Sequence, residues 1–446
     1  MEAIEIHIAK KVKEIGGTTY YVGGYVRDKL LGIDNKDIDI EVHGIFPADL
    51  KEILNELGTP LEYGKDFGIF SLANHNIDIA MPRTEINTGL GHRDFDVQID
   101  PFIGVKEAAK RRDFTINSLM QDVLTNEIVD SFGGLEDLKN KTIKHVDDKS
   151  FIEDPLRVFR AAQFAARFEF KIDPKTIELC KTIDVTTLSK ERVEEEMKKA
   201  LLKANKPSIF FDELDKMNKL DYWFKEIKEL QGVEQDKVYH PEGDVYTHTM
   251  LTLNEAYKYH GKVSNAYYFS MLALTHDFGK VDTSFEKNGR IHSYGHEENL
   301  DRAKTFIRRI TNKNNLYKYL MNMIKIHMKP NLLYNQNSGI KATNKMYDEA
   351  INPIDLLYFA FCDHPLVEDS LEDSQRYIFL SDRLTTYFKT MSKPYVSGDD
   401  LIDAGIDSGQ DFKEALAYAH KLRLADVKKE DALKQTIAYI NKLRTK

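Results

Sequence analysis

Cysteine is scarce. The 446-residue chain has two, Cys180 and Cys362, far apart in sequence. That argues against a disulfide-stapled scaffold and fits a reducing cytoplasm, where the protein is expected to act. Long apolar runs are missing too. No stretch approaches the ~20 residues of a spanning helix, so no membrane association is expected. The N-terminus, Met-Glu-Ala-Ile-Glu-Ile-His, has no basic segment leading into an apolar run, and so no signal peptide is expected. There is no repeat and no low-complexity segment. Positive charge is in deficit as well: the formal net charge is -9. Taken alone, that deficit speaks against a nucleic-acid partner. Catalytic carboxylates and metal ligands inflate an acidic count, however, so the expectation is a local basic groove on an acidic protein.

What is present is ordinary in bulk and specific in detail. Hydrophobic residues make 42% and charged residues 30%, as in a soluble globular protein, and the length suffices for two to four domains. One short stretch organises the chain, Tyr21 to Glu41. Its pattern predicts a strand, a Gly23-Gly24 turn, a helix over 25–31 ended by Gly32, and a second strand. Glycines without Cβ let a phosphate approach the backbone closely, and Arg27 follows one helical turn later. In the second strand Asp37 and Asp39 alternate with Ile38 and Ile40. Period-two geometry turns both carboxylates to one side and both isoleucines to the core. Two adjacent carboxylates repel unless a cation lies between them, and hard oxygen ligands suit Mg²⁺. Either feature alone is more often a turn or a solvated face. In this order and spacing the stretch resembles the first motif of the class II nucleotidyltransferase branch, which contains bacterial tRNA CCA-adding enzymes and poly(A) polymerases.

Along the rest of the chain, Ile4, Ile8, Val12 and Ile15 mark an opening helix, and residues 47–58 an amphipathic one. Residues 67–73 and 76–81 read as a β-hairpin turning at Asn74-His75, with Asp78 as a third carboxylate for the metal site. Residues 87–104, including His92-Arg93-Asp94, read as a mobile lid. Lys110 to Asp122 matches the family's second motif. Arg112 is a fork for phosphate or sugar, and Asn117 reaches the sugar or positions the site. Asp130 to Leu138 matches a third motif, expected to be structural.

From about residue 152 the pattern turns helical. Pro155 fits a first helical turn, and Asp154, Arg157 and Arg160, three apart, fall on one helix face. An exposed salt-bridged face is the default for such a pattern. The resemblance implies more. Cytosine and adenine each present an amino group beside an unprotonated ring nitrogen, whereas uracil and guanine present a carbonyl beside an N–H. Asp154 accepting and Arg157 donating fit the first pair and clash with the second. Arg160 is the neighbour that holds the nucleotide. A helix over 188–202, with Ser189 as its cap and Arg192, Glu195 and Glu196 in the family's neck motif, is expected to support this one.

A second constellation lies between 236 and 370: His248, His276-Asp277, His296, His327 and Asp363, with His240 and His364 as secondary candidates. His276-Asp277-Phe278-Gly279-Lys280 closely resembles the signature of HD-type metal phosphohydrolases. Mixed imidazole and carboxylate ligands suit a transition ion such as Ni, Co or Mn better than Mg. Ser397 to Gly405 resembles the tail of HD-bearing CCA-adding enzymes.

The resemblance implies an α+β fold with a mixed-sheet nucleotidyltransferase head (1–145), a helical neck with the nucleotide-template helix (146–235), a helical HD domain (236–370) and a helical tail (371–446). It implies addition of C, C and A to tRNA 3′ ends from CTP and ATP, with Mg²⁺ in the head. The rivals are a poly(A) polymerase, an enzyme adding only CC or only A, an HD phosphohydrolase whose head binds RNA, and a non-catalytic RNA-binding regulator. An HD signature without a basic tail favours CCA addition over poly(A) synthesis. An intact Asp37-Asp39 pair argues against a catalytically dead head.

Overall fold

The computed structural model describes residues 3–63, 69–72, 75–87, 95–364 and 374–445. It divides into two compact units, Met1–Ala204 with Ile209–Trp223, and Asn205–Ser208 with Phe224–Lys446. The architecture is α+β: a mixed sheet in the first unit and a largely helical remainder.

The head is a seven-stranded sheet. Its strands are β1 (Thr18–Val22), β2 (Ile38–His43), β3 (Pro60–Tyr63), β4 (Ile69–Leu72), β5 (Ile77–Ala80), and, after a separate two-stranded ribbon of β6 (Arg83–Asn87) and β7 (Phe95–Ile99), β8 (Met120–Asp122) and β9 (Ile128–Val129). The order is β3-β4-β5-β2-β1-β8-β9. β2 and β5 run parallel, and their register sets Asp39 opposite Asp78. The expected hairpin is present as β4 and β5, with Ser71 opposite Asp78. Ile40, Val42, Ile77 and Ile79 carry the inward half of the strand alternation into a core completed by Ile8, Val12, Leu50 and Leu54 of the helices Ile4–Glu14 and Pro47–Leu57. That alternation turns Asp39 and Asp78 outward.

Two local expectations are revised. β2 begins at Ile38, so Asp37 stands exposed on the approach to the strand, its backbone N–H held by Asn35 Oδ1 at 3.0 Å. The template helix begins at Leu156, so Asp154 precedes it and accepts the Leu156 N–H at 3.1 Å. Pro155 takes the N-cap position and leaves Asp154 one residue outside the helix. Ser189 occupies the N-cap of the helix Lys190–Lys203 without a side-chain cap bond. In the third motif Asp130 accepts the N–H groups of Phe132, Gly134 and Leu135 and ties the turn. His92, Arg93 and Asp94 lie outside the described residues, as does Asn74.

The second unit begins with helices whose starts are written by Asx caps. Asp244 caps Val245–Tyr257, Asn265 caps Ala266–Thr275, and Asn352 caps Pro353–Cys362. Ala266–Thr275 is buried nearly all round, which fits a helix at the centre of a bundle. The tail from Val396 to Ile440 has a small core of its own. Among the described residues, no helix is long and apolar enough to cross a membrane.

Candidate functional site

In the first unit, Asp37, Asp39 and Asp78 line one cleft with Ser71 and His75. Asp39 also lines a second cleft of about 590 Å³. Asp39 is half-buried. Burial raises its pKa, Arg112 opposes that, and the nearby Asp78 and Asp37 add to the rise. The Asp39 carboxylate therefore resists carrying its charge, as a ligand in a cation site does before its ion arrives.

The second cleft gathers Gly23, Gly24, Arg27, Arg112, Asn117, Asp154, Arg157 and Arg160. Seven arginines and two lysines line it against three aspartates. The local basic groove on an acidic protein is present here. Gly23 has φ +64, and the Arg112 guanidinium lies within ordinary contact of where its Cβ would be. The turn therefore requires glycine for its left-handed conformation.

Hydrogen bonds sort these residues. Arg27 is buried, donates to Asp28 and to Asn117 Oδ1 (2.6 Å), and lies over the rings of Phe164 and Phe168. Asn117 donates in turn to Asp113 Oδ1 at 2.9 Å, so both ends of its amide are engaged. Arg160 donates to Asp113 Oδ2 at 2.7 Å, and Arg157 donates to the carbonyls of Ser150 (2.6 Å) and Arg111 (2.7 Å). Asp154 accepts a two-oxygen bond from Arg192, 3.1 Å to each oxygen.

Two hubs escaped sequence reading. Asp113 is buried and joins the Phe114 N–H, Asn117 and Arg160. Burial works to raise its pKa, but Arg160 and Asn117 prevail and hold it below the carboxylate range. Glu41, fully buried on β2, meets His43 (3.0 Å), Arg112 (3.1 Å) and Arg111 (3.4 Å). Burial opposes its charge, yet the His43 hydrogen bond and the two arginines lower its pKa to about 2. In Lys110-Arg111-Arg112-Asp113 the acid reads as part of a charge run, and Glu41 reads as a strand end. The period-two sequence Asp39, Glu41, His43 was the available signal.

Glu41 yields a stability prediction. Its folded pKa is depressed from about 4.5 to about 2, a linkage on the order of 3 kcal/mol. That contribution is complete above about pH 4.5 and is lost as pH falls toward 2. Denaturant unfolding of wild type and Glu41→Gln should differ most near neutral pH, with the gap closing on acidification. A gap independent of pH would contradict the assignment.

In the second unit the six expected residues converge. Their ligand atoms form two sets, each with all atoms within 4.8 Å of one another: His248, His276, Asp277 and Asp363, and Asp277, His296 and His327. His248 comes from the helix Val245–Tyr257, His276-Asp277 and Asp363 from the ends of two others, and His327 from the end of Asn314–Ile326. A Cβ on Gly279 would run into the His296 carbonyl, so glycine in this turn lets the His296 segment close on it. Burial disfavours charge on His276, but Asp277 and Asp363 override it and raise its pKa to about 10. His276 Nε2 and Asp277 Oδ2 are buried without a hydrogen bond, although the Lys280 ammonium stands 2.7 Å from that oxygen. Glu242, missed in sequence, accepts from His248 Nδ1 at 2.7 Å and meets His240 at 3.0 Å. The residues before the helix, His-Pro-Glu, carried that signal. A cleft of about 530 Å³ opens at this cluster, lined among others by His240, His364, Arg290, Tyr239 and Tyr294.

Asp39 on β2 with Asp37 just before the strand, a third carboxylate set opposite by register, and a cationic cleft beside them define the class: a chain with a nucleotidyltransferase-type head and a largely helical remainder. Residues 19–144 match the poly A polymerase head domain, and residues 169–231 match the probable RNA and SrmB-binding site of polymerase A. The multifunctional CCA protein of Mannheimia succiniciproducens is 39% identical over 288 residues, 63% of this chain and 66% of its own length. That of Shewanella denitrificans is 35% identical over 298 residues, covering 65% and 69%. The chain thus spans about two thirds of these relatives. The Thermotoga maritima CCA-adding enzyme, solved in complex with tRNA, has the same fold, with a TM-score of 0.64 at 21% identity over 97% of this chain and 94% of that one. The chain belongs to the family of multifunctional CCA proteins.

Proposed function

We propose that this protein adds or repairs the 3′-terminal CCA of tRNA from CTP and ATP, in the cytoplasm. The observation that carries the reading is the cationic cleft with the Asp39 carboxylate in its wall. Asp37, Asp39 and Asp78 are hard oxygen donors on one wall and fit Mg²⁺. Magnesium there would neutralise charge on the triphosphate and favour the attacking 3′ hydroxyl. Gly23, Gly24 and Arg112 receive phosphates, and Arg27 and Asn117 keep that wall in place. Arg160, held by Asp113, stands beside the nucleotide.

Asp154 and Arg157 read the base. Arg192 aims the Asp154 carboxylate, and the two backbone carbonyls fix the Arg157 fork while leaving it further N–H groups. The test is kcat/KM for each of the four NTPs with tRNA trimmed at its 3′ end. Wild type should prefer CTP and ATP. Asp154→Ala should reduce that preference over UTP and GTP by about 5- to 150-fold, the worth of one good base contact. The ratio is insensitive to the folded fraction. An unchanged ratio would return these residues to a structural role.

The second unit is proposed as an HD-type phosphohydrolase, acting on 2′,3′-cyclic or 2′-phosphate esters. His248, His276, Asp277, His296, His327 and Asp363 would hold a divalent transition ion such as Ni, Co or Mn, which supplies Lewis acidity when bound. The convergence of the buried His276 Nε2 with Asp277 Oδ2 (3.2 Å) and Asp363 Oδ1 (3.1 Å) supports that fit. Glu242 orients His248 from behind.

A further inference from the structure

The cleft at the imidazole and carboxylate cluster has two unlike kinds of lining. Asp277, His296 and Asp363 supply one. Tyr239, Tyr294, Met328 and Leu332 supply the other, and all four are exposed large hydrophobic side chains. Apolar surface gathered in a concave site is surface for a ligand to cover.

Tyr294 follows the hairpin of Phe285–Lys287 and Arg290–His292. Its ring stacks on the His292 imidazole, with centroids 5.0 Å apart and planes at 21°, and the Phe285 ring meets it edge-on at 5.8 Å. Braced by two rings of its own hairpin, it is still 68% exposed. A flat ring that is held in place and left uncovered is preorganised to receive another flat ring. Gly295, at φ +73, turns the chain between Tyr294 and His296, so a stacking ring and a cluster imidazole line the cleft two residues apart. Two residues span at most about 7 Å, comparable with the reach from a base to a phosphate on its own ribose. Arg290 ties the hairpin to the segment carrying Tyr239: its guanidinium lies over the Tyr239 ring, 5.4 Å from the centroid, and its Nε donates to Asp236 Oδ2 at 2.7 Å.

We propose that the aromatic part of this cleft is a nucleobase subsite, with Tyr294 as its stacking platform, so that the second unit selects nucleoside esters over esters without a base. The proposal rests on the phosphohydrolase reading of the cluster. Stacking needs only a π-face, so the subsite takes adenine and cytosine alike.

The test compares hydrolysis of two cyclic esters by the full chain with Mn²⁺, Co²⁺ or Ni²⁺ present. Adenosine 2′,3′-cyclic phosphate carries a base; glycerol 1,2-cyclic phosphate has the same strained ring without one. Wild type should prefer the adenosine ester. Tyr294→Ala should lower kcat/KM for it by about 5- to 150-fold, the effect of losing one base–aromatic stack, and leave the glycerol ester unchanged. Tyr294→Trp should keep the preference. The ratio of the two esters is insensitive to the folded fraction. An equal effect of Tyr294→Ala on both esters, or none on either, would overturn the base subsite and leave the phosphohydrolase reading standing. Hydrolysis of neither ester by wild type would overturn that reading instead. Calorimetric titration with adenosine 2′-monophosphate and glycerol 2-phosphate then decides the subsite: tighter binding of the adenosine ligand, lost in Tyr294→Ala, supports it, and equal or no binding of the two overturns it.

Discussion

Asp39→Ala is expected to lower incorporation from CTP and ATP by at least about 10³-fold, roughly 4 kcal/mol of barrier, with the fold intact. Asp39 is the carboxylate that both clefts share, half-buried, opposite Asp78 across the parallel pair and close enough to Arg112 to feel its charge. Removing it takes away the donor best fixed by the sheet. It also relieves repulsion among three carboxylates, so the apparent Tm without metal should stay level or rise slightly. Asp39→Asn, which keeps the shape, should fail to the same degree. Turnover retained in excess Mg²⁺ would sink the assignment of Asp39 to the metal.

The paired change His276→Ala with Asp277→Ala is expected to abolish hydrolysis of 2′,3′-cyclic and 2′-phosphate esters and to leave nucleotide addition near wild type. Asp277 contributes to both ligand sets, so neither set survives. The head belongs to the other compact unit, so its sheet and clefts retain their own contacts. Because both residues are buried, an unfolding curve must accompany the assay. His276→Gln should give the same loss with less repacking. Hydrolysis persisting in both variants would place that activity elsewhere; loss of both activities together would contradict the independence of the two sites.

The local half of this structure was legible because short-range rules govern it. Alternation in Ile38 to Ile40 and the glycine turn before it determine a strand, a turn and a helix without reference to the rest of the chain. The hairpin carrying Asp78 followed from the same period. Its parallel pairing with β2 did not, since a long-range register depends on which faces are buried together. Arg157 and Arg160 share the face that their spacing predicts, but Pro155 moved the helix start and left Asp154 outside the helix. Asp113 and Glu41 were hidden for one physical reason. A buried carboxylate is paid for by partners distant in sequence, Arg160 for Asp113 and Arg112 for Glu41, and a single chain of letters does not display such pairs. The HD residues were visible because their chemistry is unusual, while the Nδ1 partners that orient His276, His296 and His327 are backbone carbonyls with no signature at all.

The most direct test of CCA addition is the length of product made from tRNA lacking its three 3′ nucleotides, read at single-nucleotide resolution. CTP alone should extend it by two residues and stop. ATP alone should leave that tRNA unextended. The two together should give a three-residue extension ending in A, and tRNA already ending in CC should accept one A from ATP. A long run of A from ATP alone, or no extension under any mixture with Mg²⁺ present, would contradict the account.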